Sequence, residues 1–349
     1  MKSNRRWARH AHREAIRNNV AFWAVQPIST QRNDANNVHL AIQHGLRLSS
    51  TRTSAARLLG SSFSLAQAQP AHWLPLYALA MRNTQLPSRL RAELHYQHAA
   101  LLWVAGNRPQ AASAFQRALR MARQYGHPAL QARNLIGLCL VHSQDPVRAN
   151  KAANQLSQLL PSIPPVLQAH AHAALGYVAY FARQHHAAAL HFAAAIDAAP
   201  PSVARGQLHT LAGLNALAQD LPAAALKHYN AAALLLQRHQ AGTSQLARVE
   251  LLRATAHYHK TTRGQRVRLQ PAIAALQRAA ALLAHSHSDA SSRSHLESLL
   301  GRAYTRSGDV ASGLRYLASA LQLSEDAGEH AMAADIFAAL QQLENKNPA

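Results

Sequence analysis

Small residues recur along this chain at near-regular intervals inside helix-forming stretches, and that recurrence restricts the folds open to it. Gly60, Ala99, Gly137, Gly176, Ala212, Ala256 and Gly301 are separated by steps of 39, 38, 39, 36, 44 and 45 residues. Self-similarity on this scale marks a solenoid, in which each unit buries its apolar face only by stacking on the next. The text of the units repeats as well. Ala118–Leu138 reads ALRMARQYGHPALQARNLIGL and Ala320–Leu340 reads ALQLSEDAGEHAMAADIFAAL, so that Gly126 aligns with Gly328 and Ala132 with Ala334. Each is a helix, a glycine stop and a second helix, and glycine there suits the left-handed residue that ends a helix.

Each small residue leads a fixed set of followers. In residues 172–200, Leu175-Gly176 is followed by Ala188, Phe192, Ala195 and Pro200. Two antiparallel helices approach closely only where the crossing residue is small, and an aromatic side chain fills the gap beside it. The frame returns as Ala99, Gly106-Asn107, Ala111, Phe115 and Ala118, and as Leu300-Gly301, Tyr304, Gly308-Asp309 and Ala320. It is weaker at Ile136-Gly137, Ala149 and Pro161, and at Leu59-Gly60 and Phe63. Residues 211–232 fit with a one-residue ambiguity, Ala224 or Ala225 preceding Tyr229. Around Ala256, with Ala272 and Ala279, the unit carries an insertion over Thr261–Arg268.

This spacing resembles the tetratricopeptide repeat. Steps longer than the roughly 34 residues of the plain repeat resemble the variety found in MalT-like regulators, with extended second helices and loops. The resemblance covers about residues 50–345. It implies an all-α fold, a right-handed α-solenoid of antiparallel helix pairs. About seven pairs are expected over residues 49–345, the first and sixth degenerate, after a basic arm or helix at 1–48 and before a tail at 346–349. Within the arm, Asn33–Leu48 reads as a helix capped by Asp34 or Asn36.

Composition agrees with helices, because alanine dominates and the strand-favouring Val, Ile and Thr are sparse. The chain carries 36 basic and 15 acidic residues, a formal charge of +21. Two readings stand: an acidic or nucleic-acid partner, or the drift of a GC-rich genome, since 31 of the basic residues are arginine. Residues 289–349 hold eight acids against five bases, a net of −3 that leaves +24 on the first 288 residues. An acidic last segment suits the soluble cap of a solenoid. No apolar run approaches the length of a membrane span.

Chemistry-bearing motifs are missing from the sequence. There is no phosphate-binding loop ending in Gly-Lys-Ser/Thr and no dinucleotide glycine fingerprint, so no cofactor is expected. The resemblance to MalT-like regulators therefore extends only to their sensor portion. Cys139 stands alone among apolar neighbours, which excludes an internal disulfide and points to a buried thiol. The 23 histidines include the close pairs His10/His12, His95/His98, His170/His172, His257/His259 and His285/His287; rings two residues apart point to different helix faces, carboxylates are scarce nearby, and no metal site is expected.

The resemblance also implies that first helices line a concave groove, at positions six and three before the small residue and one, four and five after it. That set contains Glu93, Tyr96, Trp103, Gln131, Asn134, His142, His170, Tyr177, Tyr180, His209, His295, Arg302 and Arg306, with Glu250, Arg253, His257 and Lys260 from the inserted unit. Tyr96, Trp103, Tyr177 and Tyr180 form an aromatic zone suited to an apolar or extended peptide. Arg253, His257, Lys260, Arg302 and Arg306 form a basic zone suited to carboxylates or phosphates. Asn134 alone sits where the carboxylate-clamp members of the family place a clamp residue, so a chaperone-tail ligand is not expected. The sequence thus reads as a cytoplasmic, bacterial, non-enzymatic scaffold or sensor-type adaptor, binding a protein or peptide segment for which the charge favours acidic character. The alternative is a basic α-solenoid that binds nucleic acid or forms part of a transcriptional regulator.

Overall fold

The structure, a computed structural model, describes residues 2–261, 269–284 and 290–346, and all regular structure among them is helical. Most of the arginine-containing insertion, Thr261–Arg268, lies outside the described residues. Chain contacts divide the protein into two units, residues 1–182 and 183–349.

The first unit contains α1 (Lys2–Val25), α2 (Ile28–Asn33), α3 (Ala35–Arg47), α4 (Arg52–Ser61), α5 (Phe63–Ala68), α6 (Pro70–Met81), α7 (Ser88–Val104), α8 (Arg108–Gln124), α9 (Pro128–Val141), α10 (Pro146–Leu159) and α11 (Pro165–Phe181). The expected helix at Asn33–Leu48 is α3. Asp34 occupies its N-cap position without making a side-chain cap bond to the backbone. α1 buries Ile16, Val20 and Trp23 in one core with Val38, Ile42 and Leu59. A Cβ at Gly45 of α3 would lie 2.7 Å from the Ala55 Cβ and 2.8 Å from Val20 Cγ2, so glycine permits this three-helix approach. The Gln31 amide fixes the α1–α2 corner by donating to the Trp23 carbonyl at 3.1 Å and the Gln26 carbonyl at 3.0 Å.

Beyond α6 the helices pair in sequence, α7 with α8 and α9 with α10. The joint after α7 shows how the chain turns. Gly106 adopts φ +80°, and the Asn107 side chain accepts from the Gln110 amide at 3.3 Å, starting α8. Ala99, Ala111 and Ala118 are fully buried where α7 and α8 meet. At Gly137 a Cβ would lie 2.5 Å from the Phe115 ring, so one repeat's aromatic packs on the next repeat's glycine.

The second unit contains α12 (His185–Ala198), α13 (Val203–Ala218), α14 (Pro222–Arg238), α15 (Thr243–Thr261), α16 (Gln270–Ala284), α17 (Ala290–Ser307), α18 (Val310–Asp326) and α19 (His330–Lys346). α13/α14, α15/α16 and α17/α18 pack as hairpins. The ambiguous register resolves at Gly213 rather than Ala212. A Cβ on Gly213 would lie 2.7 Å from Tyr229 Cδ1, and Ala225, Tyr229 and Ala232 are fully buried. Ala256, Ala272 and Ala279 are likewise buried; Ala279 of α16 shares a core with Ala247 and Ala254 of α15, whereas Ala256 belongs to the core that holds Tyr229 of α14. Both helices of α7/α8 have 17 residues and those of α13/α14 have 16 and 17, whereas α9 and α10 have 14 each and the connection through the 3-10 turn Leu160–Ser162 supplies that repeat's length, so helices and loops both contribute to the long period.

Candidate functional site

The first helices of successive repeats in the first unit share one face. An open depression of about 460 Å³ runs across it, built by Phe63 of α5, Glu93 and Tyr96 of α7, Arg133 of α9, and Val166, Leu167 and His170 of α11. Val166 is 67% exposed, a large apolar side chain held in water on the first turn of its helix. Tyr96 is half-buried, its ring tilted against Phe115 at 6.3 Å and covered by the Arg133 guanidinium at 5.8 Å. Arg133 in turn pairs with Glu93 at 3.1 Å, so this face is apolar and aromatic with its charge neutralised internally.

Of the residues expected to line the groove, Glu93, Tyr96 and His170 meet at this depression, and of the aromatic zone Tyr96 alone is among its lining. The His170 ring sits 3.0 Å from the Val166 carbonyl. Trp103 lies at the end of α7, half-buried, with the Arg108 guanidinium 5.5 Å from its ring centre. Tyr177 and Tyr180 are half-buried on α11, both edge-on to Phe181 at 4.8 and 5.4 Å. Asn134 is fully buried, its amide donating to the Leu130 carbonyl at 2.7 Å, and offers no surface to a partner. His142 faces a different depression, between α8 and α10.

The residues expected in the basic zone all belong to the second unit, and its arginines already have partners. Glu250, only 6% exposed at the side chain, holds Arg253 at 2.7 Å and Arg278 at 3.0 Å. Arg302 pairs with Asp335 of α19. Arg306 is exposed and lies 4.7 Å over the Tyr258 ring. His257 is half-buried on α15, and the side chain of Lys260 lies outside the described residues. Arg302 also lines an open hollow of about 750 Å³ between α17 and α19, with His295, Leu299, His330 and Met332. His209 contacts His228 at 3.2 Å between ring nitrogens, one position off the register that Gly213 sets.

Sequence reasoning missed Phe63, Arg133, Val166 and Leu167. They stand at other offsets from the small residues than those carried over, Val166 and Leu167 in the first turn of α11 and Arg133 in the second turn of α9. The Pro165-Val166 start of α11 is repeated by Pro146-Val147 at the start of α10, away from this depression, so no local signal singles the site out.

Burial lowers several imidazoles below their ordinary range. His95 drops to about 4, with His98, Arg117 and Arg91 adding to the desolvation. His98, His172, His209 and His228 shift the same way, chiefly through burial. These rings are neutral at pH 7 and add no charge to the surface. Cys139 is fully buried and burial pushes its thiol up to about 12, so it is no nucleophile. Among the described residues no three metal-ligating side chains converge, and no helix is long and apolar enough to cross a membrane.

No family model and no curated protein sequence matches the chain. Solved structures do. The STAND protein with a tetratricopeptide repeat sensor, PH0952 from Pyrococcus horikoshii, superposes with a TM-score of 0.67 at 10% identity, over 93% of this chain and 48% of that one. The apo form of RapI matches with a TM-score of 0.59 at 10% identity, over 95% of this chain and 98% of that one. A Rap protein complexed with competence and sporulation factor matches with a TM-score of 0.57 at 12% identity, over 95% and 98%. Likeness at this identity speaks to fold: the chain is all-α, a helical-repeat architecture that is tetratricopeptide-like and similar to these structures.

Proposed function

We propose that this protein is a non-enzymatic scaffold or sensor-type adaptor that binds a protein segment on the first-helix face of its first unit. The observation that carries the reading is the depression at Tyr96, Val166, Leu167 and His170, where an apolar side chain stays exposed beside a half-buried aromatic. Such a surface suits a few apolar anchors, which dominate affinity in peptide recognition. The similar Rap fold complexed with competence and sporulation factor supports the same use of the architecture. Acidic residues in the segment are a secondary feature, supported by the +24 carried by residues 1–288. Arg253 and Arg302 contribute less to it than their positions in sequence suggested, because each holds a carboxylate of this chain.

Peptide display against the full chain tests the proposal. Apolar-anchored sequences are expected to be enriched, and their affinity to fall at least about tenfold (1.4 kcal/mol) in the double variant Val166→Glu, His170→Glu. Both side chains are exposed, so folding is retained. Enriched peptides that bind the variant as tightly as the parent place the binding surface elsewhere.

A further inference from the structure

The second helices of the first unit carry a separate feature that peptide binding does not use. Between Glu93 and Asp197 the only acid is Asp145, against seven arginines and one lysine. The fold gathers four of these cations around one depression of about 460 Å³ between α8 and α10: Arg120, Arg123, Arg148 and Lys151, with His142 at its side. Its floor is apolar, made by Leu119, Leu138 and Ala152. Two of the cations are held in place. Arg123 donates to the Gln155 side-chain oxygen at 2.9 Å, and Arg148 sits 3.3 Å from Asp145. Among the described residues Arg120, Arg123 and Lys151 have no carboxylate partner. Arg133, on the other face of the same unit, is neutralised by Glu93.

We propose that this depression is a binding site for a compact polyphosphate group, such as a pyrophosphate or triphosphate. Four cations against one edge carboxylate leave a net +3 in a small volume. That exceeds what isolated carboxylates along a peptide would balance, and also the about −2 of a single phosphate monoester. Arginine forks suit phosphate oxygens bidentately. The patch is confined: α6, the second helix of the preceding repeat, has no Lys or Arg, so no basic track continues along that side for a long polymer. No Phe, Tyr or Trp lines the depression, so nothing is placed to stack on a nucleobase. The phosphate chain, free or as part of a nucleotide, is what the site reads.

Isothermal titration of the full chain at low salt tests this, with tripolyphosphate as the probe and ATP, a short single-stranded DNA and a polyglutamate peptide as comparators. Tripolyphosphate is expected to bind at one site, and ATP to match it within a few-fold because the base goes unread. Arg120→Glu with Lys151→Glu is expected to weaken both at least about tenfold, as is the milder Arg120→Gln, Lys151→Gln pair, while Arg238→Glu on α14 leaves them unchanged. Circular dichroism confirms that the exposed substitutions preserve the helices. No binding of tripolyphosphate, equal binding by the parent and double variants, or tighter binding of DNA or polyglutamate than of tripolyphosphate overturns the proposal. Since the site lies apart from the Tyr96 and Val166 face, its failure leaves the peptide proposal standing, and the reverse holds too.

Discussion

Phe115→Ala is expected to cost about 3–5 kcal/mol, the range for deleting a buried aromatic side chain. Phe115 is 2% exposed and works at two junctions at once. In its own repeat it closes the α7/α8 hairpin beside Ala99, and its ring lies where a Cβ on Gly137 of α9 would stand, 2.5 Å away. Tyr96 leans on the same ring at 6.3 Å, so the cavity opens beneath the proposed peptide face. For a unit of this size the loss lowers the melting temperature on the order of 10 °C. A double-mutant cycle exposes the coupling. Gly137→Ala is destabilising in the parent, where the new methyl meets the ring, and neutral or stabilising once the ring is gone. Additive effects in thermal unfolding would show that the two residues do not share a contact.

Glu250→Ala is expected to cost about 3 kcal/mol in the second unit. The carboxylate is 6% exposed and joins Arg253, 23% exposed, to Arg278, 49% exposed. Removing one partner of a buried ion pair leaves the other charge uncompensated at about 3–5 kcal/mol, and the exposure of Arg278 sets the lower end. The loss reflects stranded charge more than the strength of the bonds. The triple variant Glu250→Leu, Arg253→Met, Arg278→Met is therefore expected to regain most of the stability. Denaturant midpoints measure both. A triple variant as unstable as Glu250→Ala would mean that the bonds themselves supply the stability.

The architecture was legible because the crossings are local and periodic. Gly126 and Gly328, aligned by sequence alone, both adopt positive φ, at 63° and 70°. Gly308-Asp309 turns the chain as its text suggests, with the Ser312 amide donating to the Asp309 carboxylate at 3.0 Å. Other joints use the same left-handed residue without the cue: Arg183, Asp220 and Gln240 hold φ of 59°, 59° and 51°. At the fifth repeat, adjacent Ala212 and Gly213 are both small, and only the Tyr229 ring decides between them. The surface was less legible because charge is settled over long separations. Arg278 reaches Glu250 across 28 residues and Arg302 reaches Asp335 across 33, pairings that no local spacing announces. The basic depression escaped notice because its cations sit on second helices, whereas the carried-over groove positions lie on first helices.

The claim on which the rest depends is that helices touch at the small residues that recur beyond the degenerate first unit. Thermal unfolding of four single variants, alanine at Gly60, Gly137, Gly213 and Gly301, tests it most directly. A Cβ at Gly60 would have its nearest neighbour at 3.9 Å, whereas at Gly301 it would lie 2.6 Å from Leu317 and at Gly137 2.5 Å from Phe115. The expected result is a Gly60 variant unchanged or raised by about 0.5–1 kcal/mol through helix propensity, with the other three lowered by about 1–3 kcal/mol through overpacking. Three neutral variants, or a Gly60 variant as damaged as the rest, would contradict it.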